Sequence, residues 1–178
     1  MGAIHSPKPV LRLVAVLSRH DDALAWGRNK IEQAWGPLAL VSEPFEFNDT
    51  EYYAKEMGTD LKKQFIASAL LSDPGELADL KHQTNAWETE YADLPAHAEP
   101  RPLNLDPGSV SESKLVLAST KNHSHRVYLS RGIYAEVTLG FARSTGWVPQ
   151  QWTYPDYQRK DFQSFFTECR NYLRQSID

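Results

Sequence analysis

Polar and aromatic side chains collect at the ends of predicted helices and strands, where they could recognise a small ligand. Asp106 ends a short predicted strand at an Asp-Pro-Gly turn, a position that often carries a working carboxylate. Arg126 and Glu136 face each other across a predicted hairpin. Arginine and lysine bind carboxylate or phosphate groups, and tyrosine rings can flank the same molecule. The pattern predicts a polar, tyrosine-flanked pocket for a small anionic ligand.

The residues of this predicted pocket fall into two groups. Asp106 and Glu136 are the candidate catalytic residues, because either carboxylate could act as a general base. The candidate ligand-binding residues are Tyr52, Glu56, Lys114, Arg126, Tyr134 and Tyr154. These side chains also have local structural explanations, because each could form a turn or cover part of the core. Whether the chain is an enzyme therefore stays open, and the pattern specifies no cofactor.

The residue pattern also bears on other classes of function. The alternative is a non-catalytic protein-interaction module, which would use exposed aromatic side chains such as Trp147, Trp152 and Tyr157. Nucleic-acid binding is not favoured, because the net charge is -4 and the tryptophans are not interleaved with basic residues. His123 and His125 have the spacing of strand metal ligands, but the predicted hairpin offers no third ligand, so no metal site is predicted.

Length and composition predict one domain. A chain of 178 residues that is 41% hydrophobic can bury a core without a metal or disulfide, and its single cysteine excludes an internal disulfide. We expect a flexible tail over residues 1–9 and a single α+β domain over residues 10–178. No apolar run approaches the roughly 20 residues of a membrane span, and no signal-peptide core precedes residue 10. The expected location is cytoplasmic, without membrane contact, and the oligomeric state is not indicated.

The predicted elements are arranged as β-α-β-(short α)-β-α-β, followed by a β-hairpin and a C-terminal helix. This order predicts an antiparallel or mixed sheet with the ferredoxin-like β-α-β-β-α-β arrangement and helices on one sheet face. Residues 111–120 are ambiguous, and their serine-rich start favours a short helix over a strand. The final helix carries phenylalanines on one stripe, which would dock it on the sheet.

The register of the predicted hairpin follows from keeping one face apolar. A three-residue loop at 130–132 satisfies this condition. The resulting pairs are Leu129–Ile133, Tyr128–Tyr134, Val127–Ala135 and Arg126–Glu136. His123 and His125 then lie on the apolar side with Val127. The Arg126–Glu136 pair is either a surface ion pair or part of the floor of a polar cavity.

Several longer runs of residues resemble a known family. They are SEPF (42–45), TEYYAKEMG (50–58), NLDPG (104–108), SKLVLASTK (113–121), HRVYL (125–129), GIYAEVTL (132–139) and WTYPDY (152–157). Over about residues 10–175 the chain resembles a bacterial family catalogued as domain of unknown function 4416. The resemblance implies a bacterial protein but no particular reaction. Some relatives carry a GTP-binding label, which is not expected to apply here because the chain has no phosphate-binding loop.

Within this resemblance the chain departs from its relatives at one position of the predicted pocket. Relatives usually have an aromatic residue after the Asp-Pro-Gly turn, and this chain has Ser109. If that aromatic ring stacks on a ligand, this chain lacks the contact.

Overall fold

The centre of the molecule is one antiparallel sheet, seen in a computed structural model that describes residues 2–50, 52–95 and 97–177. Within these ranges there are nine strands: β1 (Val10–Ser18), β2 (Leu38–Val41), β3 (Phe45–Phe47), β4 (Leu61–Ser72), β5 (Asn104–Val110), β6 (Lys114–Ser119), β7 (Val127–Ser130), β8 (Ile133–Ala142) and β9 (Gly146–Pro149). Their order is β2-β4-β1-β5-β6-β8-β7, with β3 also beside β4 and β9 also beside β8.

Helices cover both faces of this sheet. They are α1 (Asp21–Trp35), the short α2 (Ala54–Met57), α3 (Leu77–Ala92) and α4 (Lys160–Ile177), with 3-10 turns at Pro74–Glu76 and Pro155–Gln158. Helices α1 and α3 pack on one face, and α4 packs on the other. The predicted α+β class with a C-terminal helix is confirmed. The prediction that the helices share one sheet face is wrong. Helices α1 and α3 already cover the apolar side chains of one face, so the phenylalanine stripe of α4 packs on the other face.

Strand β1 is buried on both sides because it lies between the two helical layers. Val14 and Val16 pack beneath α1 and α3, whereas Leu11 and Leu13 belong to the core beneath α4. Side chains alternate between the faces of a strand, so a strand covered on both sides has to be apolar at nearly every position. This explains the hydrophobic run at residues 10–17, which only Arg12 interrupts.

Phe65 on β4 is the centre of the core beneath α4. Its buried ring contacts an aromatic cluster made of Phe45, Tyr157, Phe162, Phe165 and Phe166. Three of these rings come from α4, so the predicted phenylalanine stripe is confirmed as the docking surface of that helix. The helix begins at Lys160, after the 3-10 turn at Pro155–Gln158.

The segment predicted as a helix at 111–120 is mostly strand β6, so that prediction is wrong. β6 pairs with β5 on one side and with β8 on the other, and this pairing outweighs local helix preference. The serine-rich start has a different use, because Ser111 Oγ accepts hydrogen bonds from the backbone N–H groups of Ser113 and Lys114 in the turn before β6.

The predicted hairpin is present with a shorter loop. The pairs Val127–Ala135 and Tyr128–Tyr134 are as predicted, but Ser130 pairs with Ile133, and Leu129 is left in a bulge. Arg131 and Gly132 both have positive φ, of 48° and 80°, which is the backbone of a two-residue hairpin turn. The bulge supplies the extra residue that the predicted three-residue loop contained.

Across the described ranges, no helix combines the length and the apolar character that crossing a bilayer requires.

Replacing Phe65 with alanine should lower the free energy of unfolding by about 3–5 kcal/mol, because the cavity would lie among five other aromatic rings. Urea unfolding followed by circular dichroism measures the change. Leu70→Ala is the control, since Leu70 lies on the same strand with an exposed side chain, and should cost less than about 1 kcal/mol. Similar losses for the two variants would contradict this account of the core.

Candidate functional site

A cavity opens where strands β5 and β6 separate. The two strands pair only from Gly108 to Val110 on β5, and the Asn104–Asp106 end of β5 has no pairing with β6. Gly108 lies at the last pair, where a Cβ would be 2.5 Å from the Val116 carbonyl oxygen, so only glycine allows this close approach. The cavity has a volume of about 470 Å³, which is within the usual range for small-molecule sites.

The wall of the cavity is built from four segments that are distant in sequence. Parts of residues 47–53, 101–106, 117–121 and 154–157 form it, together with single side chains from β4 and β8, two from α3, and Arg126 from the segment before β7. The wall is therefore assembled by the sheet, by α3 and by the loops at one end of the sheet, with tyrosine rings on the loops and charged groups on all three.

Five of the predicted site residues line this one cavity. They are Tyr52, Asp106, Arg126, Glu136 and Tyr154. The structure thus brings together the candidate catalytic carboxylates and three of the candidate ligand-binding residues. The functional roles assigned to them from the sequence remain predictions.

The other three predicted residues are not part of the cavity wall. Glu56 is largely exposed, and its carboxylate lies 3.9 Å from Arg101 Nη1 behind the wall. Lys114 is exposed at the start of β6, at the end of that strand away from the cavity. Tyr134 packs edge-on against Tyr128 on the hairpin, with ring centroids 5.4 Å apart. The extended backbone of β6 separates Lys114 from the cavity, which begins only at Leu117 on that strand and continues to Lys121 beyond it.

Lys81 of α3 reaches the opening between the two strands. Its ammonium group donates hydrogen bonds to the Leu105 carbonyl and to Asp106 Oδ1, both at 3.0 Å, and lies 4.0 Å from Glu88. Sequence reasoning missed this residue. The available signal was its position four residues after Leu77, on the buried face of the helix, where a lysine requires a partner.

Asp106 is ionised because its neighbours outweigh the effect of burial. Burial by itself would raise the pKa of this carboxyl group. Lys81, a hydrogen bond from Asn104 Nδ2 at 2.8 Å and the charge of Lys63 together lower the pKa to about 2. A carboxylate with so low a pKa accepts protons poorly near neutral pH, so it favours a role in holding charge over a role as a general base.

A second charged group continues this network behind Asp106. Glu88 Oε1 accepts a hydrogen bond from the Leu105 backbone N–H at 2.7 Å, and Glu88 Oε2 accepts one from Arg101 at 2.9 Å. Arg101 also donates to the side-chain oxygen of Asn104. Burial raises the pKa of Glu88, with Lys81 and Arg101 offsetting part of that effect.

The Arg126–Glu136 pair is buried, which excludes the surface interpretation. Arg126 Nε lies 2.9 Å from Glu136 Oε2, and the two side chains are only 4% and 2% exposed. Arg126 also donates to Ser119 Oγ at 2.7 Å and to the Tyr154 hydroxyl at 3.2 Å. Breaking such a pair leaves an uncompensated buried charge, so the geometry around Arg126 is strongly held.

His125 contacts the same carboxylate and was wrongly placed by the predicted register. Its Nε2 lies 3.0 Å from Glu136 Oε2, and its ring stacks on Trp152 with centroids 5.2 Å apart. Strand β7 begins only at Val127, so the alternation of faces does not extend back to the histidines. His123 stacks on His125 at 5.8 Å.

Lys121 differs from the other cationic side chains of the cavity. Lys63 pairs with Asp156, and Lys81, Arg101 and Arg126 also have carboxylate partners. The Lys121 ammonium group instead donates to the Tyr52 hydroxyl at 2.6 Å, and within the described ranges no carboxylate lies within ion-pair distance of it. Lys121 is not among the site residues predicted from the sequence.

Two further tyrosines close the cavity from the loop side. Burial raises the pKa of Tyr53 and of Tyr157, and Asp106 contributes to both shifts, so both phenols are neutral near pH 7. The Lys63 ammonium group lies over the Phe47 ring at 4.2 Å and over the Tyr157 ring at 5.2 Å. The cavity thus has aromatic surface beside its charged groups, as sites for small organic molecules commonly do.

The aromatic residues of the predicted interaction module are mostly core residues. Trp147 and Tyr157 are buried beneath α4. Trp152 is partly exposed, with its indole N–H donating to the Val137 carbonyl at 3.0 Å. Two of the three side chains proposed for contact with a partner are therefore unavailable, which corrects that part of the interaction hypothesis.

Side chains of the types that bind metal ions lie together outside the cavity. Within the described part of the chain, the group of three His, Cys, Asp or Glu residues close enough to hold an ion is His20, Asp22 and His97. None of these side chains is among the residues that line the cavity.

The low pKa of Asp106 predicts a specific dependence of stability on pH. Its pKa is lower in the folded chain than in the unfolded chain, so it stabilises the fold above about pH 4, and this contribution disappears as the pH falls toward about 2. Asp106→Asn should remove at most about 2 kcal/mol at pH 5, since 32% of the side chain is exposed to screening solvent, and the loss should shrink toward pH 2.

Urea unfolding of both proteins at several pH values measures this difference. The matched control is Asp93→Asn, which changes an exposed aspartate at the end of α3 and should follow the parent chain at every pH. A destabilisation by Asp106→Asn that is constant with pH would show that the carboxylate charge does not stabilise the fold.

Comparison with known proteins agrees with the resemblance noted in the sequence. A family model described as Domain of unknown function (DUF4416) matches residues 8–172, which is nearly the whole chain. Searches of curated proteins and of solved structures found no match. The cavity-lining residues that carry the resemblance, such as Tyr52, Asp106 and Arg126, all lie within the matched range. The chain belongs to the DUF4416 family.

Proposed function

We propose that this protein binds a small anionic molecule in the cavity between β5 and β6. The observation that carries the proposal is the charge of Lys121, which no carboxylate of the described residues balances, whereas the other four cationic groups of the wall have carboxylate partners. A cation that lines a partly enclosed cavity favours an anion there, because the surrounding protein screens the attraction less than water does.

Hydrogen-bond donors beside Lys121 support the same ligand class. Arg126 approaches Ser119 and Tyr154 through separate guanidinium nitrogens, and the Tyr52 hydroxyl accepts from Lys121. Hydroxyl and guanidinium donors at one place suit the oxygens of a phosphate or carboxylate group. The rings of Tyr52 and Tyr154 would flank the rest of the molecule.

The proposal is for binding rather than for chemical transformation. Asp106 has a pKa of about 2 and is already held by Lys81 and Asn104. Glu136 is held by Arg126, His125 and Thr138. Carboxylates with this many donors orient and neutralise neighbouring cations more readily than they accept a proton from a substrate.

We also propose that the first half of the chain follows the predicted ferredoxin-like arrangement. The sheet order β2-β4-β1-β5 and the packing of α1 and α3 on one face support it. In this arrangement β3 and α2 are an insertion before β4. Tyr52 and Tyr53 both lie between β3 and α2, so the added segment helps to build the cavity.

The test is a thermal-shift screen followed by calorimetry with inorganic phosphate, pyrophosphate, nucleoside monophosphates, sugar phosphates and dicarboxylic acids. At least one of these anions should raise the melting temperature and bind. Lys121→Gln should weaken that binding by about 10- to 100-fold, which corresponds to one charge-assisted hydrogen bond of about 1.5–3 kcal/mol.

Lys114→Gln is the matched control because Lys114 begins β6, whereas Lys121 follows the other end of that strand, and the Lys114 side chain lies outside the cavity. It should bind the selected anion as tightly as the parent chain. Absence of binding by every anion in the screen, or equal weakening in the two lysine variants, would refute the proposal.

A further inference from the structure

Two histidines and an aspartate meet where the loop between α3 and β5 crosses the start of α1. His20 immediately precedes α1, Asp22 lies in its first turn, and His97 belongs to the loop. One ring nitrogen from each histidine and one carboxylate oxygen of Asp22 all lie within 4.8 Å of one another. The sequence predicted no metal site, and it could not have shown this group, since His97 is 75 residues from Asp22.

The distances among these atoms are close to those of a metal site. Zinc bonds to nitrogen and carboxylate oxygen are about 2.0–2.2 Å long, so two ligands of one tetrahedral ion are about 3.4 Å apart. His97 Nε2 and Asp22 Oδ2 are already 3.1 Å apart, and the three candidate ligand atoms lie within 4.8 Å of one another. The two imidazole rings are stacked with centroids 3.6 Å apart, so one ring has to rotate for both to reach one ion.

A carboxylate beside His20 resembles the support of a metal ligand, since Glu99 Oε2 lies 3.1 Å from His20 Nε2. The Tyr91 hydroxyl contacts His97 Nε2, the same nitrogen that faces Asp22, so a bound ion would replace this hydrogen bond. A histidine that ligates a metal through one ring nitrogen commonly donates its other N–H to a carboxylate, which sets the tautomer and the ring orientation. Held by Glu99, His20 has Nδ1 available, and this atom has no hydrogen-bond partner in the described part of the chain.

We propose that His20, Asp22 and His97 bind a divalent transition metal ion, with Zn²⁺ as the best match to two imidazoles and one carboxylate. Such a set leaves a fourth position for water. The ion would fasten the loop to α1. The same loop continues to Arg101, which lines the cavity, so metal binding would also stabilise that part of the cavity wall. The proposal is independent of what the cavity binds.

Calorimetric titration with ZnCl₂ alone, on chain freed of metal with a chelator, tests the site. We expect one ion per chain in the parent protein. His97→Ala and Asp22→Asn should each lower the affinity at least 100-fold. Co²⁺ added to the parent chain should give the visible absorption bands of a tetrahedral site, and these should be absent in both variants.

The control is His123→Ala, because His123 also stacks on another histidine but lies outside the group. It should keep the parental affinity and stoichiometry. Far-UV circular dichroism of every variant without metal should match that of the parent, since the changed side chains lie at a loop and a helix start. Failure of the parent to bind Zn²⁺, undiminished binding by His97→Ala, or loss of binding in His123→Ala would overturn the proposal.

Discussion

The contact between Lys81 and the unpaired end of β5 is the interaction on which the rest of the candidate site depends. Where β5 parts from β6, the carbonyl of Leu105 loses the backbone partner that a continuous sheet would supply, and the carboxylate of Asp106 lies at the same opening. Lys81 contacts both groups from α3, each at 3.0 Å. A buried group without a partner costs more than its hydrogen bond contributes, so the opening between the strands is stable only with this lysine in place.

The same constraint explains how charge is distributed in the cavity. Most of its carboxylates and cations are arranged as pairs, among them the buried Lys63–Asp156 and Arg126–Glu136 pairs. Each pair removes a desolvation penalty and fixes two side chains at once. Among the described residues, the exception is Lys121, whose partner is a tyrosine hydroxyl. Because the other cations of the described wall have carboxylate partners, the charge of Lys121 is the reason that the proposed ligand is an anion.

The aromatic core connects the cavity wall to the sheet and to α4. Tyr157 belongs both to the cavity wall and to the cluster around Phe65, and it follows Asp156, which binds Lys63. The 3-10 turn that carries both residues leads into α4, whose phenylalanines cover the sheet. Close-packed aromatic rings resist displacement, so the loop side of the cavity is held by packing as firmly as the strand side is held by ion pairs.

The sequence by itself determined the features that depend on local periodicity. The apolar run of β1, interrupted only by Arg12 before Ser18, is typical of a strand buried on both faces. The phenylalanine spacing indicated the docking stripe of α4, and the longer residue runs indicated the family. It also selected Asp106 and Arg126 as polar residues worth attention, and these two line one cavity.

Tertiary structure alone decided which distant residues became neighbours. Pairing on both sides made residues 114–119 a strand despite their helix-like start, and this separated Lys114 from the cavity and placed Lys121 in it. Lys81 meets Asp106 across 25 residues, and Lys121 meets Tyr52 across 69. The periodicity of a segment shows which face of the helix or strand is buried. The partner of a buried charge depends instead on how the helices and strands pack, and residues from the whole chain determine that packing.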